Sequence, residues 1–141
     1  FTSPRFYAAT NVRTKVKTPF ELVVSALRVT GAGNVPPMLV LQTLRSLGEV
    51  PYMEQAPTGF PASSDDWVNS GAMLARMNFG TALAARVAGR ARTGTSVDEM
   101  LTQVLPGVDV SRRRAQIVRD AANDPAKALG LALGSPEFQM K

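Results

Sequence analysis

The chain contains neither cysteine nor histidine. The absence of cysteine excludes a disulfide and a thiolate nucleophile, and the absence of both residues excludes a Cys/His metal site. Catalytic triads that depend on histidine are excluded as well. From the sequence we therefore predict no catalytic residue, no metal site and no cofactor. Whether the chain belongs to an enzyme stays open, but nothing in it assigns a reaction to this chain alone.

Aromatic residues are scarce at 6%, while hydrophobic residues make up 45% and charged residues 19% of the 141 positions. This composition is typical of a globular protein, and the length suits one domain with a real core. We therefore treat residues 1–141 as a single domain whose interior is filled by alanine, leucine, valine and methionine. No apolar run reaches the roughly 18 residues that span a bilayer, so the sequence predicts no transmembrane segment.

Helix start signals recur along the chain, and no strand pattern competes with them. Thr18 and Glu21 have the spacing of a capping box around Pro19, which suits the first helical position. Ser96 and Glu99 repeat the capping box, and Asp124-Pro125 is a third start. The sequence thus predicts an all-α fold of six or seven helices.

One helix, over about Ser70–Ala88, is predicted to be the centre of this fold. It lies in the longest apolar stretch without proline, WVNSGAMLARMNFGTALAARVAG at 67–89. At about 100° per residue, a face of mostly small residues forms that would let a neighbouring helix approach closely. Its members are Leu74, Met77, Thr81, Ala84, Ala85 and Ala88. Gly130 and Gly134 are small residues four apart elsewhere, and we interpret them as a second close-packing site.

A long proline-rich loop, residues 49–66, precedes this helix. Loops of this length are uncommon in compact domains and are often functional or packed upon themselves. We predict that it lies across the surface of the core, where three aromatic residues anchor it. These loop anchors are Tyr52, Phe60 and Trp67.

Two polar residues interrupt the central helix, Arg76 and Asn78. A buried arginine needs a partner, and the acidic pair Asp65 and Asp66 stands at the start of the helix. We predict that Arg76 is buried and paired with a carboxylate, which fixes the loop to the helix. The alternative is that this cluster anchors a ligand.

The net charge is +5, and part of it comes from arginines on one predicted helix, Arg112, Arg113, Arg114 and Arg119. Such a run can be the footprint of nucleic acid or anionic lipid. No aromatic residues are interleaved for base stacking, which argues against nucleic acid. We interpret the run as a solvated helix face, and leave an anionic membrane surface as the alternative.

Four ordered blocks of the chain resemble the bacterial family catalogued as domain of unknown function number 1800. They are KTPFELVV with ALR at 17–28, Leu47-Gly48 with PTGFP at 57–61, WVNSG with LARMNF at 67–79, and GSPEFQ at 134–139. The resemblance covers nearly the whole chain. It implies that residues 1–141 are the C-terminal part of a longer parent chain. It also implies a bacterial and extracytoplasmic setting, since members are commonly predicted to be exported.

The resemblance carries over no activity and no catalytic residue. Our first hypothesis is therefore a non-catalytic structural or protein-interaction module, whose partner is the remainder of the parent chain or other subunits of an assembly. The alternative is the helical part of an exported enzyme whose catalytic groups lie mostly outside this chain.

Overall fold

The computed structural model describes residues 14–61, 63, 67–88, 96–107 and 111–141. In these ranges the chain is all-α, as predicted, with seven helices and no strand. The helices are α1 (Pro19–Val29), α2 (Pro37–Ser46), α3 (Ser70–Ala88), α4 (Val97–Val104), α5 (Ser111–Ala121), α6 (Pro125–Gly134) and α7 (Pro136–Gln139). Across this described part, no helix combines the length and the apolarity that crossing a membrane requires.

The helices begin where the sequence signals predict. The Thr18 hydroxyl accepts a hydrogen bond from the Glu21 N–H, and the Glu21 carboxylate accepts one from the Thr18 N–H, so α1 starts with a complete capping box. Ser96 and Glu99 form the same arrangement at α4. The Asp124 carboxylate accepts from two N–H groups in the first turn of α6. Each cap satisfies backbone donors that a helix start leaves without partners.

The longest helix, α3, packs closely against α6 through small residues. A Cβ atom built on Gly80 would lie 3.2 Å from the Cβ of Leu133 and 3.5 Å from the backbone nitrogen of Gly134. On the other helix, a Cβ on Gly130 would meet the backbone of Thr81 at 3.5 Å. The sequence interpretation of Gly130 and Gly134 as a close-packing site is thus confirmed.

The buried face of α3 differs from the predicted one. The buried residues are Arg76, Gly80, Leu83 and Ala84, whereas Leu74 and Met77 are 60% and 52% exposed. The predicted small-residue face shares Ala84 with the buried one, but it also contained Leu74 and Met77; the close approach of α6 at Gly80 selects a face rotated from the predicted one. The central position of α3 is not confirmed either, because it is α6 that packs against α3, α4, α5 and α7.

The core consists of two apolar clusters. The larger one joins α3 to α6 with side chains of α1, α4 and α5, among them Leu22, Leu101 and Ile117. The smaller one joins α1 to α2 through Val23, Leu44 and Leu47. Leu27 and Phe79 pack against both clusters, so the α1–α2 pair meets α3 along a seam.

Residues 15–17 and 139–141 run side by side in opposite directions. Val16 and Met140 form an isolated antiparallel bridge. The Lys15 and Lys141 backbones exchange two hydrogen bonds, and the Lys17 N–H donates to the Gln139 carbonyl at 2.8 Å. This pairing brings residue 17 beside the end of α7.

Candidate functional site

Arg76 is the largest polar side chain in the interior, with 1% of its surface exposed. One terminal nitrogen, Nη1, donates to the Oε1 atom of Gln139 at 2.9 Å. The other, Nη2, donates to the carbonyl of Lys17 at 2.8 Å. The Nε atom is buried without a hydrogen-bond partner among the described residues. One guanidinium thus ties α3 to both segments of the antiparallel pairing.

The partners of Arg76 are themselves held in place, and we call Arg76, Lys17, Phe138 and Gln139 the Arg76 cluster. The Gln139 amide donates to the Leu133 carbonyl at the end of α6. The Lys17 ammonium donates to the Phe138 carbonyl and lies 4.0 Å from the centre of the Phe138 ring. Such contacts stabilise a cation that is partly removed from water. The cluster is therefore a structural junction in which every polar member has a defined neighbour.

Two effects act in opposite directions on the pKa of Arg76. Burial lowers the pKa of the Arg76 guanidinium, and the Glu49 carboxylate opposes that change. Arginine stays protonated in proteins even so, and the buried charge is neutralised only in part. Glu49 is engaged in a contact of its own, since its Oε2 atom accepts from the Phe20 N–H at the start of α1 at 2.8 Å.

The predicted pairing of Arg76 with Asp65 or Asp66 is not tested by the described residues. Among those residues, its hydrogen bonds go to neutral oxygens, an amide and a backbone carbonyl. Such neutral acceptors orient the guanidinium without adding a second desolvated charge. Asp65 and Asp66, the carboxylates named for this role, lie outside the described residues.

Asn78 is exposed, so of the two polar residues that interrupt the helix only Arg76 is buried. Two positions along a helix turn the side chain by about 200°. Arg76 and Asn78 consequently point to nearly opposite sides of α3. Arg76 enters the junction with residues 17 and 139, and Asn78 lies at a groove on the other side.

The loop before α3 is anchored by two of the three predicted aromatic residues. Trp67 is buried, and its indole N–H donates to the Pro61 carbonyl at 3.0 Å. The rings of Phe60 and Trp67 have their centroids 6.4 Å apart, tilted by 46°. This tilted arrangement is typical of favourable aromatic pairs.

Tyr52 is not an anchor, which corrects the third prediction. Its side chain is fully exposed, and its φ of 64° lies in the left-handed region. The Met53 N–H donates to the Val50 carbonyl, so residues 50–53 form a turn with Pro51 in its second position. A turn with proline there and a positive φ next directs the following side chain away from the core.

A groove of about 360 Å³ lies along the seam between the α1–α2 pair and α3. Its lining is mainly aliphatic, and Arg86 is the only ionisable group that the described residues bring to it. The lining residues are Val23 and Leu27 of α1, Val35, Leu39, Val40, Thr43 and Ser46 of α2 and the turn before it, and Ala75, Asn78, Phe79, Ala82, Leu83 and Arg86 of α3.

A second, smaller depression of about 230 Å³ lies where α3 crosses α6. Met77 and Leu131 line it together with Lys127, and Leu74 stands one turn before Met77. We call Leu74, Met77 and Leu131 the α3–α6 face. All three side chains are large, apolar and at least 40% exposed, and they share one side of the molecule.

The arginines of α5 are divided between structural and exposed positions. The Arg113 Nε donates to both carboxylate oxygens of Glu137, at 3.0 and 3.2 Å. The Arg114 Nη1 donates to the Leu105 carbonyl. Arg112 and Arg119 are exposed. Two of the four charges therefore tie α5 to its neighbours, which weakens the case for an anionic surface as partner.

No group of three or more metal-ligating side chains gathers within the described part of the chain. What the described residues supply is a buried arginine junction, an apolar groove with one cation, and an exposed apolar face. The groove and the face come from residues far apart in the sequence, and no motif marks either of them. Gln139 belongs to the block GSPEFQ, but an uncharged residue gave no signal that it would meet Arg76.

Comparison with known proteins gives one family. The family described as Protein of unknown function (DUF1800) matches residues 1–140. Neither the curated proteins nor the solved structures contain a match to this chain.

Proposed function

The chain belongs to the family of proteins of unknown function DUF1800, and on this premise we propose that it is a non-catalytic interaction module. The module docks onto the remainder of a longer parent chain or onto other subunits of an assembly. The resemblance of the sequence blocks to a family of longer, commonly exported bacterial proteins supports a C-terminal position in the parent. It also supports an extracytoplasmic setting.

The observation that carries this proposal is the α3–α6 face. Leu74, Met77 and Leu131 are 60%, 52% and 40% exposed. Single exposed apolar residues are ordinary, but adjoining ones on a small domain mark a site of contact with another protein. The α3 helix packs against α6 at Gly80 and leaves Leu74 and Met77 exposed, although a helix usually turns its large apolar residues towards the core.

The alternative, the helical part of an exported enzyme, is supported by the unpaired Nε of buried Arg76. A ligand-anchoring arginine would need a cleft beside it. Arg76 lines neither the groove nor the depression at the α3–α6 crossing. Its two hydrogen bonds join segments of the chain, so the described geometry favours the interaction module.

The first test is the coding sequence upstream of the codon for Phe1. A reading frame that continues through a longer family member supports the docking proposal, and a start codon at that point contradicts the parent-chain part of it.

The second test measures docking directly. Residues 1–141 and the separately expressed upstream part are mixed and analysed by light scattering after size exclusion. We expect a one-to-one complex that Met77→Glu weakens at least tenfold, because a charge would be buried in an apolar contact. Met38→Glu on α2 is the matched control, since Met38 is also exposed, at 65%, but lies outside the α3–α6 face. Absence of a complex, or equal loss in both variants, would overturn the proposal.

A further inference from the structure

The groove beside α3 has the size and the walls of a small-molecule site. Its volume of about 360 Å³ falls at the lower end of the range of roughly 300–1,000 Å³ in which such sites occur. Val23 and Leu27 form one wall, Val40 the second and Phe79 the third. Val23 belongs to the smaller cluster, and Leu27 and Phe79 pack against both clusters, so the groove lies along the seam between them.

The shape of the groove suits a linear occupant. Ala75, Ala82 and Arg86 follow each other on one face of α3, with spacings of seven and four residues. Eleven residues of helix correspond to about 16 Å. Because alanine side chains are short, these two positions leave free space beside α3.

The polar groups of the groove are unevenly distributed. The hydroxyls of Thr43 and Ser46 donate to carbonyls of their own helix, at 2.9 and 2.7 Å. Thr43 and Ser46 therefore present mainly their carbon atoms to a ligand, because their hydroxyl donors are already engaged. Among the described residues, Arg86 on the last turn of α3 brings the only charge in the lining, and Asn78 adds an exposed amide two turns earlier. None of the lining residues that the structure describes is a carboxylate.

We propose that this groove binds a straight-chain amphiphile with one anionic head group, namely a medium-chain monocarboxylate of about ten carbons. The hydrocarbon chain lies between the α1–α2 pair and α3, and the carboxylate lies at Arg86. The aliphatic walls provide the affinity, and Arg86 provides the preference for an anion and the direction of binding. This site is separate from the α3–α6 face, so docking and ligand binding can be tested independently.

Isothermal titration of residues 1–141 with hexanoate, octanoate and decanoate, each below its micelle concentration, tests the apolar part. Each methylene group added inside the groove should lower Kd about fourfold. The lowering should stop once the chain outgrows the groove. Binding that does not depend on chain length, or no binding of decanoate, overturns the proposal.

Variants and a charge-reversed ligand test the location and the head group. Ala82→Phe fills the groove and should abolish decanoate binding. Arg86→Gln should raise the Kd of decanoate about fivefold, which is the range of an exposed ion pair. Arg112→Gln is the matched control, because it removes an exposed cation that lies outside the groove lining. Decyltrimethylammonium should bind wild type more weakly than decanoate.

Intermolecular NOEs on the wild-type protein keep the test independent of variant folding. Decanoate methylene protons should contact the methyl groups of Val23 and Val40. Contacts to Met77 and Leu131 instead would place the ligand on the α3–α6 face and refute the groove site. Unchanged binding to Ala82→Phe, or a cationic ligand that binds as tightly as decanoate, would refute it as well.

Discussion

At the scale of single residues, Arg76 shows how neutral oxygens of two distant segments hold a buried charge. Among the described residues, its two terminal nitrogens are bonded to such oxygens and its Nε has no partner. An interior donor without a partner costs about 1–3 kcal/mol. In return, the Arg76 side chain hydrogen-bonds α3 to residues 17 and 139. An apolar side chain of the same size could make no such bonds.

Arg76 and Gln139 should therefore be energetically coupled. We expect Arg76→Met to lower the free energy of unfolding by about 2–4 kcal/mol, because the Gln139 amide oxygen and the Lys17 carbonyl are left unpaired in the interior. Gln139→Met should also destabilise, since it leaves a second guanidinium nitrogen without a partner. The double variant should lose less than the sum of the two, by at least about 1 kcal/mol.

Urea unfolding of the four proteins measures this coupling. Arg28→Met is the control, because Arg28 is an exposed arginine of α1 and its replacement should change stability by at most about 0.5 kcal/mol. Additive losses in the double variant would show that the two hydrogen-bonded side chains act independently.

At the scale of elements, the sequence predicts where helices begin better than which face they bury. Starts depend on neighbours three or four positions apart, such as Ser96 with Glu99, so they can be read locally. The buried face of α3 depends on α6, which lies about 50 residues later. The predicted small-residue face included Leu74 and Met77, which are exposed, because the helical period alone does not show that α6 packs against Gly80.

The candidate sites were harder to predict than the fold for the same reason. The groove exists because α1 and α2 pack on each other as well as on α3, and this arrangement leaves no pattern in any one segment. The exposure of Tyr52 follows from a positive φ in the turn after Pro51. That conformation is rare for a bulky residue, so an aromatic side chain in a proline-rich loop is reasonably predicted to be an anchor.

The contact between α3 and α6 gives the prediction at this scale. Gly80→Val should destabilise the protein by about 2–3 kcal/mol, because even a Cβ atom there lies 3.2 Å from the Leu133 Cβ. Gly71→Val is the matched control in the first turn of the same helix, where an added Cβ would only touch the Asn69 side chain at 3.5 Å. It should change stability by less than about 0.5 kcal/mol. Thermal unfolding of both variants measures these changes in stability. Equal losses of stability in the two variants would mean that α3 and α6 do not meet at Gly80.

At the scale of the whole molecule, two partly exposed ion pairs join elements that are distant in the sequence. Lys141 pairs with Glu21 of α1, and Arg113 of α5 pairs with Glu137 of α7. Burial raises the pKa of the Glu21 carboxyl, but the Lys141 ammonium and the Thr18 N–H lower it more, so it falls below its ordinary value of 4.5. Burial also raises the pKa of the Glu137 carboxyl, but its own backbone N–H and Arg113 lower that pKa more, so it falls below its ordinary value as well.

Both lowered pKa values predict a loss of stability in acid. A carboxyl group whose pKa is lower in the folded state binds its proton more tightly when unfolded. Its stabilising contribution is complete above its ordinary pKa of 4.5 and disappears as the pH falls through the folded value. Because Glu21 and Glu137 are 37% and 26% exposed as side chains, each pair should contribute about 0.2–1 kcal/mol.

We therefore expect the urea midpoint of the wild type to fall between pH 6 and pH 3, and to fall less in the double variant Glu21→Gln/Glu137→Gln. Glutamine at position 21 can still complete the capping box with Thr18, so the comparison isolates the charge. Asp120→Asn, which removes an exposed carboxylate of α5 outside both pairs, should retain the wild-type slope. Salt at about 1 M should reduce the difference between wild type and double variant at pH 6, because it screens exposed charges. A double variant with the wild-type slope would show that these two carboxylates do not link the helices in solution.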